Sequence, residues 1–170
     1  MAEEDREWLG ALLLRPARPD EGRAVAELWL TARKASFPAN PAGVHDDEDV
    51  RHYFATVVLA HCEVVVAEHP AEGLVGLLVL ATGFIEHLMV APGRDGRGLG
   101  SMLVGLAKAR SPAGLDLWTF QSNGRARSFY ERHGFVAVAS TDGDNEEGAP
   151  DVRYHWPPPT AQAAEQPPDG

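Results

Sequence analysis

The sequence predicts an α/β (α+β) domain, a mixed central β-sheet of about seven strands flanked by about four helices. Three observations predict it. Short β-branched or leucine-rich runs alternate with segments of helical period between residues 11 and 156. The order reads β-αα-βββ-α-β-α-ββ, which a sheet covered by helices satisfies. The chain has 170 residues, 44% of them hydrophobic, enough for one core and too few residues for two typical domains.

Ala11–Pro16 is a short apolar run stopped by proline, a first strand. Asp20 is placed to cap a helix from about Glu21 to Ala35, with Val25, Leu28 and Trp29 on one face. Phe37–Val44 is a Pro/Gly/Asn loop. Asp46 to Asp49 put acid at the start of a second helix, which continues to about Ala60 through Val50, Phe54 and Val57. Glu63–Glu68 and Leu74–Ala81 are strand runs separated by His69-Pro70-Ala71-Glu72-Gly73, a hairpin signal. Phe84–Ala91 is a fourth strand. Leu99–Arg110 is helical and stops before Pro112. Leu115–Phe120 is a strand, Asn123–His133 a helix ended by Gly134, and Phe135–Ser140 and Val152–Trp156 the last strands around an acidic loop, Asp142–Pro150. Residues 1–10 read as an N-terminal extension without a convincing period. Residues 157–170 hold five prolines and three alanines and read as a disordered tail beyond a domain of residues 11–156.

Composition removes several function classes. Fifteen basic against 25 acidic residues give a net charge of −10, which opposes a whole-surface nucleic-acid or anionic-membrane binder. One cysteine, Cys62, forms no internal disulfide and no multi-cysteine metal cluster, and no His/Cys/Asp spacing suggests a metal site. No apolar run reaches the roughly 18 residues of a membrane helix. The first residues are acidic where a signal peptide is basic. The expectation is a soluble, cytoplasmic protein.

The densest signal is Val90-Ala91-Pro92-Gly93-Arg94-Asp95-Gly96-Arg97-Gly98-Leu99-Gly100-Ser101, between a strand and a helix. Glycines let backbone N–H groups converge, and a helix N-terminus adds positive potential; together they hold phosphate oxygens. Arg94 and Arg97 add charge in an acidic chain. The bland alternative is a strand-to-helix turn with solvated arginines. A P-loop needs a lysine before Ser101, where Gly100 stands. A dinucleotide fingerprint fits only in part: it would begin after four strands, and no second mononucleotide half follows.

Leu88-Met89-Val90-Ala91-Pro92, then Gly96-Arg97-Gly98-Leu99-Gly100 and Leu103, resembles the acetyl-CoA motif of the GNAT N-acetyltransferase superfamily. Leu117-Trp118-Thr119-Phe120-Gln121-x-Asn123-x-x-Ala126-Arg127-x-Phe129-Tyr130-Glu131-Arg132-x-Gly134-Phe135 is similar to that family's second signature. The resemblance covers about Leu13 to Trp156. One position departs: Asp95 stands where the family carries Gln or Arg, with Arg94 one place early as the candidate substitute. The resemblance implies the GNAT fold, with splayed fourth and fifth strands. Acetyl-CoA is then the co-substrate and no metal is needed. Its pantetheine arm pairs with backbone at Leu88, Met89 and Val90. Its pyrophosphate rests on amides from Gly96 to Ser101, beside Arg94, Asp95 and Arg97. Asn123 contacts the arm, a role compatible with capping its helix.

Amine acetylation has two proton problems. An alkyl ammonium with pKa near 10.4 is only about one part in a thousand neutral at pH 7, so a base or water chain helps. The departing thiolate needs a donor. The resemblance assigns that role to Tyr130, a phenol protonated at neutral pH, against a plain packing role on an amphipathic helix in which Phe129 serves the core. Glu86 is the candidate base, or else an idle rim carboxylate; strand alternation groups it with Leu88 and Val90, opposite Ile85, His87 and Met89. His87 and His45 are alternatives, and His133 complements a helix end. Cys62 reads as a small buried residue rather than a nucleophile, which favours direct attack in a ternary complex. The acidic stretches at Asp46–Asp49 and Asp142–Glu147 attract a cationic acceptor or are simply solvated. Trp29, Phe37 and Trp156 line an acceptor pocket or belong to the core.

The expected function is acetyl transfer from acetyl-CoA to a primary amine of a small molecule. The alternatives are a protein amine as acceptor, or a non-catalytic acyl-CoA-binding regulator. The expected partners are acetyl-CoA and the amine, with no nucleic acid and no membrane; a homodimer is compatible with this reading.

Overall fold

A computed structural model describes residues 2–158. The expected disordered tail therefore lies, from residue 159 onward, outside the described residues. Seven strands form one mixed sheet in the order β1-β2-β3-β4-β5-β7-β6. They are β1 (Leu13–Pro16), β2 (Glu63–His69), β3 (Gly73–Ala81), β4 (Phe84–Val90), β5 (Leu115–Phe120), β6 (Val136–Thr141) and β7 (Asp151–Trp156). All neighbours are antiparallel except β4 and β5. The helices are α1 (Glu3–Gly10), α2 (Gly22–Ala35), α3 (Asp47–Tyr53), α4 (Leu99–Arg110) and α5 (Gly124–Arg132). A π-helical turn, Phe54–Val58, and a last turn, Leu59–His61, prolong α3.

Each face of the sheet has its own core, because buried strands alternate their side chains. On one face α2 and the π turn bring Val25, Leu28, Phe54 and Val58 onto Val64, Val66, Leu77 and Val79. On the other, α4 and α5 bring Leu99, Leu103, Val104 and Tyr130 onto Val65, Leu78, Ile85 and Leu117.

The structure corrects the sequence reading in several places. Glu3–Gly10 is a helix, with Trp8 only 8% exposed, where no element was expected. Its signal was a single buried side chain rather than a period. Asp20 does not cap α2 and stays exposed beside Arg18. Glu21 enters the structure instead. It takes a forked pair from Arg15 at 2.7 and 2.8 Å and the Arg18 backbone N–H at 2.7 Å. These bonds hold its carboxyl down at about 2, from an ordinary 4.5. Asp46 does cap α3, accepting from the amides of Glu48 and Asp49. Within the π turn it is Val58 that is buried, while Val57 is 38% exposed. In β4 the register to β3 slips: Val79 faces His87 and Leu80 faces Ile85, so Glu86 is a bulge. Ile85 therefore shares the α4 face with Leu88 and Val90, not the face of His87 and Met89.

Helix α2 lies so close to the π turn that a Cβ on Gly22 would sit 2.5 Å from the Ala55 Cα. That neighbour is backbone and cannot swing away. Gly22→Ala is expected to destabilise the fold by about 1–3 kcal/mol, despite the better helix propensity of alanine. Urea unfolding with an unchanged or raised midpoint would contradict this packing.

Candidate active site

The site begins where the sheet opens. β4 and β5 run parallel but share only two register pairs, Phe84 with Asp116 and Ile85 with Leu117. Beyond them Leu88–Val90 and Trp118–Phe120 have no ladder between them, so two strands inside the sheet present unpaired backbone to a gap. Leu88 and Val90 pack toward the α4 face, Met89 toward α2.

At the open end of β4 the glycine loop leads into α4. Gly98 is the N-cap of α4 at φ 101°, a conformation glycine adopts without cost, and no side chain caps the helix. The first turn carries no acidic residue, so its free N–H groups and dipole face outward uncompensated. Leu99, 1% exposed, seats the helix start: a Cβ on Gly76 would lie 2.9 Å from the Leu99 Cδ2. The loop's charged side chains are each paired with a neighbour of opposite charge. Arg94 donates to Glu72 at 2.6 Å, and Arg97 lies 3.6 Å from Asp5. Asp95, at the motif's divergent position, lies 3.4 Å from Arg125 at the start of α5. Its negative charge is thus balanced beside the loop. The Ser101 hydroxyl lies 3.0 Å from His133 Nε2, while His133 Nδ1 lies 2.8 Å from the Phe129 carbonyl. A carbonyl only accepts, so Nδ1 carries a proton, and in the neutral ring Nε2 accepts from Ser101. Ser101 therefore offers the loop its backbone N–H alone, and His133 fastens α5 to α4.

On α5, Asn123 caps the helix through Oδ1 to the Ala126 N–H at 3.0 Å and donates through Nδ2 to Asn40 Oδ1 at 2.9 Å. The second contact ties the loop after α2 to α5, and Ser122 adds a bond to the Ala39 carbonyl at 2.7 Å. Phe129 packs against the core as expected, and Tyr130 is buried more deeply than it. Its ring lies between Phe129 and Phe135 at 5.2 and 5.5 Å, and burial pushes its phenol well above the ordinary 10. Next to it, Glu131 accepts from the buried Tyr154 hydroxyl at 2.7 Å, which fixes the rotation of α5.

On the α2 face, Glu86 is exposed at the bulge, and its charge together with burial raises the Cys62 thiol. A thiol so raised is a poor nucleophile, and Cys62 is half-buried rather than the buried residue the sequence suggests. Trp29 donates its indole N–H to His87 Nδ1 at 3.2 Å. An indole only donates, so neutral His87 carries its proton on Nε2. Burial, with Arg33 nearby, lowers His87 to about 4. Arg33 meets Glu147 at 2.5 Å between the rings of Trp29 and Phe120.

Beside this pair opens a cavity of about 440 Å³. Its floor is Trp118 and Phe120 of β5, and its rim carries Asp144, Glu147 and Asp151. Of the aromatics expected at an acceptor pocket, none lines it. Trp29 belongs to the His87 contact, Phe37 is 66% exposed, and Trp156 packs under Lys108. Trp118 and Phe120 were within reach of sequence reasoning, since they alternate on one strand face. His45 pairs with Glu146 in the exposed β6–β7 loop at 3.1 Å, and the structure does not bring it to β4. Among the described residues no group of three or more metal-ligating side chains occurs, and no helix is long and apolar enough to cross a membrane.

Residues 60–137, which hold β2 through β5, the glycine loop, α4 and α5, match the acetyltransferase (GNAT) domain family. A mycothiol acetyltransferase of Beutenbergia cavernae is 44% identical over 63 residues, which span 35% of this chain and 21% of that protein. YjaB of Escherichia coli superposes over 85% of this chain and 97% of its own, with a TM-score of 0.69 at 20% identity. An acetyltransferase of Thermus thermophilus does so over 86% and 97%, with a TM-score of 0.68 at 20% identity. A GCN5-related N-acetyltransferase of Rhodopseudomonas palustris gives 85% and 94%, 0.67 and 22%. Motifs, split sheet and family match agree: the chain has the GNAT fold, and its residues 60–137 carry the match to the acetyltransferase (GNAT) domain family.

Proposed function

We propose that this chain is an acetyl-CoA-dependent N-acetyltransferase that acts on a primary amine of a small molecule, by direct attack in a ternary complex. The observation that carries the reading is the open parallel ladder, bordered by the uncapped start of α4 and by the Tyr130 helix. In this reading the pantetheine arm takes the backbone groups that β4 leaves unpaired at Leu88, Met89 and Val90. The pyrophosphate takes the amides from Gly96 to Ser101, including those of Leu99 and Gly100, and Arg94 and Arg97 supply charge beside them. A second N–H on the Asn123 carboxamide is left for the arm.

Tyr130 donates the proton that the leaving thiolate takes. Its burial supports this, because a phenol that resists ionisation is a donor at every physiological pH. Glu86 is the group on β4 suited to receive the proton of the attacking amine, directly or through water. His87 is unsuited, since its one lone pair already accepts from Trp29. The acceptor enters the cavity floored by Trp118 and Phe120. Two of its rim carboxylates, Asp144 and Asp151, have no cationic partner among the described residues, which suits an ammonium over aromatic faces. The family match and the segment shared with mycothiol acetyltransferase support transfer of an acetyl group.

The decisive experiment follows thiol release from acetyl-CoA against a panel of primary amines. No amine-dependent release, with acetyl-CoA bound, would overturn the small-molecule reading and leave the protein-amine and regulator readings standing.

Three further outcomes are expected. Gly98→Asp places a carboxylate at φ 101° against the phosphate amides, and calorimetry should find acetyl-CoA binding abolished in a folded chain; unchanged affinity would move the cofactor elsewhere. Tyr130→Phe keeps ring and packing and removes the donor, so kcat should fall about 10²–10⁴-fold with little change in acetyl-CoA affinity. Turnover within about threefold of the parent would reduce Tyr130 to a packing residue. Nitrogen chemical shifts of His87 should report an Nε2-protonated ring at neutral pH that charges only near pH 4; titration near 6.5 would return it to the list of bases.

A further inference from the structure

The two arginines of the glycine loop converge on one side chain from outside the matched family segment. Trp8, on α1, has the Arg94 guanidinium carbon 5.8 Å and the Arg97 guanidinium carbon 5.6 Å from its ring centre. It stacks on His69 at 5.7 Å with planes 16° apart. Its indole N–H donates to Glu72 at 2.9 Å, and the other oxygen of Glu72 accepts from Arg94 at 2.6 Å. Asp5, one turn earlier on α1, faces Arg97.

Two guanidiniums gathered at one ring repel each other, and each has only a surface carboxylate to hold it. Such a pair is worth about 0–1 kcal/mol and fixes a long side chain poorly. The indole adds what the carboxylates lack. Its π face attracts both cations, and its N–H fixes the orientation of the Glu72 carboxylate that holds Arg94. The ring itself does not move, being buried and stacked. Arg94 and Arg97 flank Gly96, so the ring decides where positive charge stands relative to the loop amides.

We infer that Trp8 is a positioning residue for the phosphate-binding loop, holding Arg94 and Arg97 where they serve the pyrophosphate and nucleotide end of acetyl-CoA. This rests on the acetyl-CoA reading above. It extends the working site to a helix outside residues 60–137.

The test compares two ligands by calorimetry. Acetyl-CoA carries the phosphates; acetyl-pantetheine has the same acetylated arm without them. Trp8→Leu fills the apolar seat but offers the arginines no ring face. It should weaken acetyl-CoA about tenfold and change acetyl-pantetheine less than twofold. Trp8→Phe restores the face and should bind acetyl-CoA within about threefold of the parent. Equal loss for both ligands, or no loss for either, overturns the inference and leaves the ring a prop of the core. If Trp8→Leu does not fold, Trp8→Met repeats the measurement, and failure of both to fold counts against the inference. A parent chain that does not bind acetyl-CoA removes the underlying reading as well, whereas a parent that binds and a Trp8→Leu chain that binds equally well remove only this one.

Discussion

Everything in the site depends on a ladder that stops after two residue pairs. Backbone N–H and C=O groups away from water demand partners. β4 and β5 meet at Phe84–Asp116 and Ile85–Leu117 and then part, which leaves amides and carbonyls of β4 open in the middle of a seven-stranded sheet. An edge strand in that condition would invite another chain. Here the opening is flanked by packed helices, so an extended ligand with alternating donors and acceptors is the partner that fits. The α2 core and the α4 core lie on opposite faces of the same split, which gives two approaches to one line of backbone.

The electrostatics follow from that opening. The net charge of −10 opposes a phosphate ligand at long range, so a local positive zone has to be built. It comes from the free first-turn amides of α4 and from arginines steadied by α1 and the β2–β3 hairpin, with Arg125 of α5 balancing Asp95. On the opposite face the uncompensated charge is negative, at the rim of the cavity over Trp118 and Phe120. One sheet thus separates a zone of positive potential from a zone of negative charge.

Much of the fold was legible because its signals are local. The residues at both ends of α4 and of β5 follow from glycine, proline and β-branched runs, and the observed ranges agree with the reading. Asn123 is legible as a cap for the same reason. The rest depends on contacts distant in sequence. Trp8 lies among charged residues, and only Glu72, His69, Arg94 and Arg97 give it a place. The bulge at Glu86 is invisible to an alternation rule, since alternation assumes that no residue is skipped. Asp20 fits the local cap rule, and only Arg15, on the preceding strand, shows why Glu21 is the carboxylate drawn into the structure. The lost lone pair of His87 is legible only once Trp29 stands beside it.

The pair formed by Asp95 and Arg125 has a further consequence. A loop position next to the free amides is anionic here, and the balancing charge sits thirty residues later, on a different helix. Neither residue is free to drift alone. Losing Arg125 would leave a bare carboxylate beside the free loop amides, whereas losing Asp95 would leave an arginine with nothing to hold it near them. The two positions form one electrostatic unit, and a motif read one letter at a time mistakes half of that unit for a defect.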